Sequence, residues 1–314
     1  MLRALTVRLG AAILSLLLIC FLTFMATELA PGDAARQIAG EKATPAAVER
    51  IREELGLNKP WYVRFGTFVT GSAKFDFGKS YVGVKEPVSE SILRTLPMTA
   101  RIAFWALFLA AGVGIVLGSL GAIFEGRWID KAVLTFGTLG VTIPNFVLAP
   151  ILILVLALNL DLLPTSWSEN RVAPDFYYLL MPVLTLSLRP MATLTRLTRA
   201  SMIDTLGQDF IRLAIAKGVP RFRLYIRHGL RNAIMPVVTA IGTSFGFLLT
   251  GSFVVERAFT IPGMGSLAIE AIQKRDVPTI QATTLVAGFL FIFINLLVDL
   301  LQPVLDPRVR GSQV

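Results

Sequence analysis

Long apolar runs separated by polar connections occupy most of this chain. Six segments reach or approach the roughly 20 mostly apolar residues that a helix needs to cross a bilayer. They are Leu9–Leu29, Ile102–Phe124, Ala132–Leu160, Phe176–Thr195, Val237–Val255 and Val277–Val298. The pattern predicts an all-α polytopic membrane protein with six transmembrane helices. It divides the chain into a first helix within 1–30, a more polar region at 31–101, a core at 102–302 holding five more helices and a polar loop at 196–235, and a tail at 303–314. Arg3 and Arg8 precede the first run, which is long and has no small-x-small cleavage site before Pro31. An uncleaved anchor is therefore expected.

Within the apolar segments a few residues break the monotony. Gly114 and Gly118 lie four apart with Gly121 close behind, a spacing that lets two helix backbones approach. The third segment holds Pro144 and Pro150, so a kink is expected there. Arg189 sits in the fourth segment beside Pro190, where a charge must either snorkel to headgroups or face a polar interior. Asp299, near the end of the last segment, has the same two options.

The region 31–101 has local order of its own. Thr44 can cap a helix that starts at Pro45, with Val48, Ile51 and Leu55 on one face and Gly56 as its stop. A second helix is expected after Pro60, with Trp61, Phe65 and Phe68 on one side. Being small for an independent domain, the region is expected to pack on the membrane part. Its stretch AKFDFGKS, Ala73 to Ser80, fits a loose phosphate-loop pattern but lacks the context. Phe75 and Phe77 are bulky, Asp76 would repel an anion, and a Gly and a Pro follow where a helix should begin. A surface turn is the expectation.

Composition agrees with the apolar pattern: 54% of residues are hydrophobic and 16% are charged, which a soluble globular domain would not tolerate. The net charge of +9 does not point to nucleic acid, because the basic residues gather in loops beside apolar segments. With the N-terminus inside, Arg3, Arg8, Arg127, Lys131, the loop from Arg196 to Arg231, Arg308 and Arg310 fall on the cytoplasmic side. The short outer loops then hold only Arg171, Arg257, Lys274 and Arg275, so both termini are expected to be cytoplasmic. One cysteine, Cys20, and one histidine, His228, exclude an internal disulfide and a Cys- or His-based metal cluster.

The segment from Arg196 to Pro236 carries eight Lys/Arg against two Asp. Its core, QDFIRLAIAKG, reads as a short helix with Phe210, Leu213, Ala214 and Lys217 at three-and-four spacing and Gly218 as its stop. It restarts after Pro220 and runs to Asn232, before Pro236 opens the fifth segment. Here the chain resembles the inner-membrane permease subunits of ABC transporters, in their dipeptide/oligopeptide/nickel branch. The matches run in order along nearly the whole chain: TELAPGD, ELGLNKPW, FDFGKSY, RLTRASM, DFIRLAIAKGV with RHGLRNAIMPVVT, ERAFTIPGMGSL and NLLVDLLQPVLDPRVR.

That resemblance implies a type I ABC importer permease fold whose cytoplasmic EAA loop sends a coupling helix into a groove of an ATPase subunit. The coupling positions would be Asp209, Arg212, Ala214, Lys217 and Gly218, with Arg212 standing where the wider family often has Glu. It further implies a second homologous permease, two cytoplasmic ATPase subunits and an outer binding protein, in a lipid bilayer, with no cofactor and no catalytic residue in this chain. Pro144, Asn145 and Arg189 are candidates for the substrate path. A stand-alone secondary transporter or channel is the alternative, but it would be expected to carry several ionisable residues deep in its spans or two internally similar halves. A membrane-embedded enzyme would need a Ser/His pair, an Asp pair or metal ligands, which the apolar segments lack.

Overall fold

The computed structural model describes residues 2–29, 34–40, 43–82, 85–168 and 174–305. The Pro31–Asp33 part of TELAPGD, Arg171, Arg308, Arg310 and the side chain of Arg3 lie outside the described residues. The chain forms two compact units, Met1–Met98 with Pro262–Ile292, and Thr99–Ile261 with Phe293–Val314.

In the first unit, α1 (Leu2–Leu29) is apolar on all sides and leaves Ile13, Leu14, Leu18 and Leu22 exposed, as a lipid-facing helix does. Its far end is covered by α4 (Trp61–Ala73), where Phe65 meets Phe21 and Phe24 at ring-centroid distances of 5.7 and 5.4 Å. This is the expected packing of the polar region on a membrane helix, with Phe65 and Phe68 on the covered side and Trp61 left half-exposed. Between them lie α2 (Ala34–Ala39) and α3 (Pro45–Glu54). As read from the sequence, the Thr44 hydroxyl accepts from the Ala47 N–H at 3.3 Å and Gly56 closes the helix with φ of +64°.

The stretch after α4 is tied down from far along the chain. Asp276, buried between α13 (Met264–Lys274) and α14 (Val277–Leu305), accepts from the Ser80 hydroxyl at 2.5 Å, the Tyr81 N–H at 2.9 Å and the Thr279 hydroxyl at 2.7 Å. Burial, reinforced by the Asp276 charge and opposed by Arg64, pushes the Tyr81 phenol up. Glu86 accepts from the Ser91 hydroxyl at 2.6 Å and from Arg94, and these bonds hold its carboxyl below the usual range.

In the second unit, α5 (Val88–Ile123, from Thr99 onward), α6 (Trp128–Thr142), α7 (Asn145–Leu152) and α11 (Arg231–Gly251) surround α8 (Asp175–Leu206). The seams are made by glycine. A Cβ added at Gly114 would lie 2.9 Å from the Leu194 Cβ, and one at Gly118 would lie 2.5 Å from the Thr195 carbonyl. Gly137 and Gly140 do the same for α6, against the Arg196 Cγ and the Ala192 Cβ at 2.8 Å each. Such approach stabilises helix pairs where lipid offers no hydrophobic drive. Ala110, Met191, Leu194 and Val237 form the core around this seam.

The third apolar segment is not one kinked helix. At Ile143–Pro144 the chain turns by 103° between α6 and α7, and the helix then widens into π-type turns over Ile153–Asn159. The physical reason is Pro144, which has no N–H to donate and whose ring drives Ile143 into an extended conformation, φ −76° and ψ 117°. Among the described residues four helices are long and apolar enough to cross a membrane: Thr6–Leu29, Val88–Ile123, Arg221–Gly251 and Val277–Leu301. The bent pair makes five if it is one span. The expected sixth, α8, has the length, but its Thr, Ser and Arg residues lower its hydropathy. Many of these polar residues are shielded from surroundings by the helices packed on it.

Candidate functional site

The polar loop folds as read. Gln208 starts α9 (Asp209–Ala216) in an extended conformation, and Gly218 ends it with φ of +72°. The Gly218 N–H reaches the Ile215 carbonyl at 2.9 Å and the Val219 N–H reaches that of Ala214 at 3.1 Å. After Pro220 the chain re-enters a helix at α10 (Arg221–Arg223), widens into π-type turns over Leu224–Leu230, and passes into α11.

Three-and-four spacing groups Ala214 with Phe210, Leu213 and Lys217, but in the fold it stands on the other face. Ala214 does not point outward; only 8% exposed, it packs with Ile211 and Leu224, against Leu206, Val219 and Tyr225. The i, i+3 pair of Ile211 and Ala214 is thus the inner face, because the returning chain after Pro220 supplies the apolar surface that covers it. The outer surface carries Phe210, Leu213 and Ile215, with Phe222 80% exposed just beyond. Asp209, Arg212 and Lys217 are also exposed, and the Arg212–Asp209 pair at 3.5 Å is too solvated to hold the helix. Apolar side chains standing out among basic ones on a short helix are what a helix-in-groove contact requires.

Pro144, Asn145 and Arg189 do come together. They line one cavity of about 330 Å³ at the α6–α7 break, with Val141 to Ile143, Phe146, Gly251 and Val254.

Two buried carboxylates in this unit escaped the sequence reading. Asp130, at the start of α6, pairs with Arg199 of α8, with the Arg199 Nη2 at 2.8 Å, and accepts from the Gly126 N–H at 2.9 Å. Glu256, fully buried in α12 (Phe253–Ala258), accepts from the Thr99 hydroxyl at 2.8 Å and the Ser252 hydroxyl at 2.7 Å. Besides a donor four residues away, each depends on a distant one that no local pattern announces, Arg199 at 69 residues from Asp130 and Thr99 at 157 from Glu256.

The AKFDFGKS stretch is a turn. Ala73 ends α4, Phe75 and Gly78 have φ of +60° and +76°, and the Gly78 N–H bonds the Asp76 carboxylate at 3.0 Å. Among the described residues, Lys79 and Pro87 form an isolated β-bridge rather than part of a strand, so no strand there leads into a phosphate loop. The same turn lines a cavity of about 970 Å³ in the first unit, together with Lys59 and Arg64. Among the described residues no group of three His, Cys, Asp or Glu could hold a metal ion.

Comparison with known proteins agrees with this geometry. Residues 114–311 match the family model described as binding-protein-dependent transport system inner membrane component, and residues 1–103 match its N-terminal counterpart. The chain is 38% identical over 306 residues to a putative peptide transport system permease protein of Brucella abortus (strain 2308), covering 96% of this chain and 97% of that one. It is 38% identical over 307 residues to the glutathione transport system permease protein GsiC of Salmonella choleraesuis (strain SC-B67), with the same coverage. Among solved structures, the MetNI methionine ABC transporter in an inward-facing conformation matches with a TM-score of 0.54 at 15% identity, over 68% of this chain and 96% of that one. At that identity the likeness concerns the fold.

Proposed function

Because this chain belongs to the binding-protein-dependent transport system inner membrane components, we propose that it is the permease of an importer for small peptides. It is a multi-pass membrane subunit of an ABC transporter, and ATP hydrolysis lies on partner subunits. The substrate class in this proposal follows the named function of the similar permeases from Brucella and Salmonella. The chain forms the translocation path with a second homologous permease and works with two cytoplasmic ATPases and an outer binding protein. Six spans, counting α8 and the bent pair, leave both termini in the cytoplasm, residues 31–101 outside and 196–235 inside, in keeping with the Lys/Arg distribution.

The observation that supports this reading most directly is α9. Its exposed Phe210 and Leu213 enter the ATPase groove, and Asp209, Arg212 and Lys217 border the contact. Ala214 and Gly218 act from the other side, by fixing the helix to its own chain. Closure of two ATPase domains then moves α9 as a rigid body and shifts the permease between outward- and inward-facing states. Pro144, Asn145 and Arg189 line the path.

Leu213→Asp tests the docking. Leu213 is 63% exposed, so the variant should insert and fold at wild-type levels, yet the ATPase should no longer copurify in mild detergent. Wild-type recovery of the ATPase with this variant would show that α9 is not the docking element.

A further inference from the structure

Arg189 lies on α8, the helix that the others of the second unit surround. It stands six residues, about 9 Å of helix, before Thr195, where the apolar segment ends, and its side chain is exposed. Its guanidinium has no hydrogen bond or ion pair among the described residues, and its side chain lines the cavity at the α6–α7 break. Its positive charge is thus open to an anion or to water from the cavity side.

The surroundings say which sign of ligand the cavity accepts. Its other lining residues are Val141, Thr142, Ile143, Pro144, Asn145, Phe146, Gly251 and Val254, none of them acidic. Asn145 and Phe146, in the lining of the same cavity, begin α7, where the first N–H groups of a helix have no acceptor within it. The Thr142 hydroxyl is already committed to the Thr138 carbonyl at 2.8 Å. With a volume of about 330 Å³ the cavity admits one end of a small peptide and not a folded chain.

We propose that Arg189 is a specificity-determining residue that binds the carboxylate of a translocating small peptide. The inference rests on the peptide-permease reading above. A planar guanidinium takes a carboxylate through two parallel N–H···O bonds, which orients the peptide in the path as well as neutralising the charge. The cavity lies at the 103° break between α6 and α7.

The test uses the assembled transporter, partner subunits included, in membrane vesicles, in a Cys20→Ser background with Asn145→Cys as reporter. The cysteine is labelled with an anionic sulfonatoethyl and a cationic trimethylammonium-ethyl methanethiosulfonate, and the ratio of the two rates is read. Replacing Arg189 by Gln should lower the anionic-to-cationic ratio about tenfold, and Arg189→Lys should keep most of it. Uptake of peptides from a tryptic casein digest, measured in transporters that keep Asn145 and followed by mass spectrometry, supplies the second readout. The peptides that the Arg189 form imports should enter about tenfold more slowly or less in Arg189→Gln, with Arg189→Lys intermediate. An unchanged labelling ratio or undiminished uptake in Arg189→Gln would overturn the assignment. So would loss of the second permease from the Arg189→Gln complex, which would make Arg189 the partner of another subunit's carboxylate. If the Arg189 form imports no peptide from the digest, the peptide reading fails, while the labelling ratio still decides whether Arg189 makes an anion site.

Discussion

The seams around α8 and the surface of α9 are built on opposite terms, although both belong to the same compact unit. Around α8, glycines at 114, 118, 137 and 140 remove side chains so that backbones touch, and the Asp130–Arg199 pair closes the end of the α6 seam. On α9 the chain does the reverse and leaves Phe210, Leu213 and Ile215 in solvent. The first arrangement has no slack, and a change there must be absorbed by backbone. The second has open space, and a change there is felt only by whatever docks. The coupling proposed above uses both, a stiff body to transmit motion and a tip to receive it.

This contrast predicts a steep gradient of stability effects. The largest is expected for Asp130→Ala, which would strand Arg199 without its buried partner and destabilise the protein by about 3–5 kcal/mol. Thermal unfolding of the purified complex in detergent measures it, and a shift no greater than that of a surface substitution would remove the pair from the seam's support. Gly118→Val comes next, at about 1–3 kcal/mol or more, because the added side chain meets the backbone of α8. Gly112→Val is the control, since nothing lies within 4 Å of a Cβ there; equal losses in the two variants would contradict close packing at Gly118.

Gly218→Ala should lose about 1 kcal/mol, through backbone strain alone, as no atom lies within 4 Å of the added Cβ. Its signature is reduced ATPase copurification in variants that insert normally, and a fully retained complex would mean that the α9 stop tolerates a side chain. The smallest effect belongs to Lys79→Ala in the first unit, within about 0.5 kcal/mol of the parent and without effect on ATP-driven uptake. Nucleotide binding by the purified chain that vanishes with this change would instead restore the phosphate-loop reading of the AKFDFGKS turn.

Several parts of this arrangement can be read without coordinates. The Thr44 cap, the aromatic side of α4, the α9 stop at Gly218 and the close approach at Gly114 and Gly118 all depend on neighbours within a few residues or on one helix face. The Gly137–Gly140 seam carries the same kind of signal, two small residues about one turn apart. Ala214 is different. Helical spacing puts it on a face, but which face is inward depends on Leu224 and Tyr225 coming back over it.

By itself, then, the sequence determined the chemistry of each segment: apolar runs too long for a soluble core, a basic loop with a short amphipathic helix, and a charge at Arg189 within the fourth apolar segment. Those are local quantities, set by composition and periodicity. The tertiary structure alone decided the pairings of Asp130 with Arg199, Glu256 with Thr99 and Ser80 with Asp276, the last 196 residues apart. It also decided that Arg189, Pro144 and Asn145 meet at one cavity. Such partners share no period or motif, because a buried carboxylate needs only a donor nearby in space, and the fold selects which one arrives.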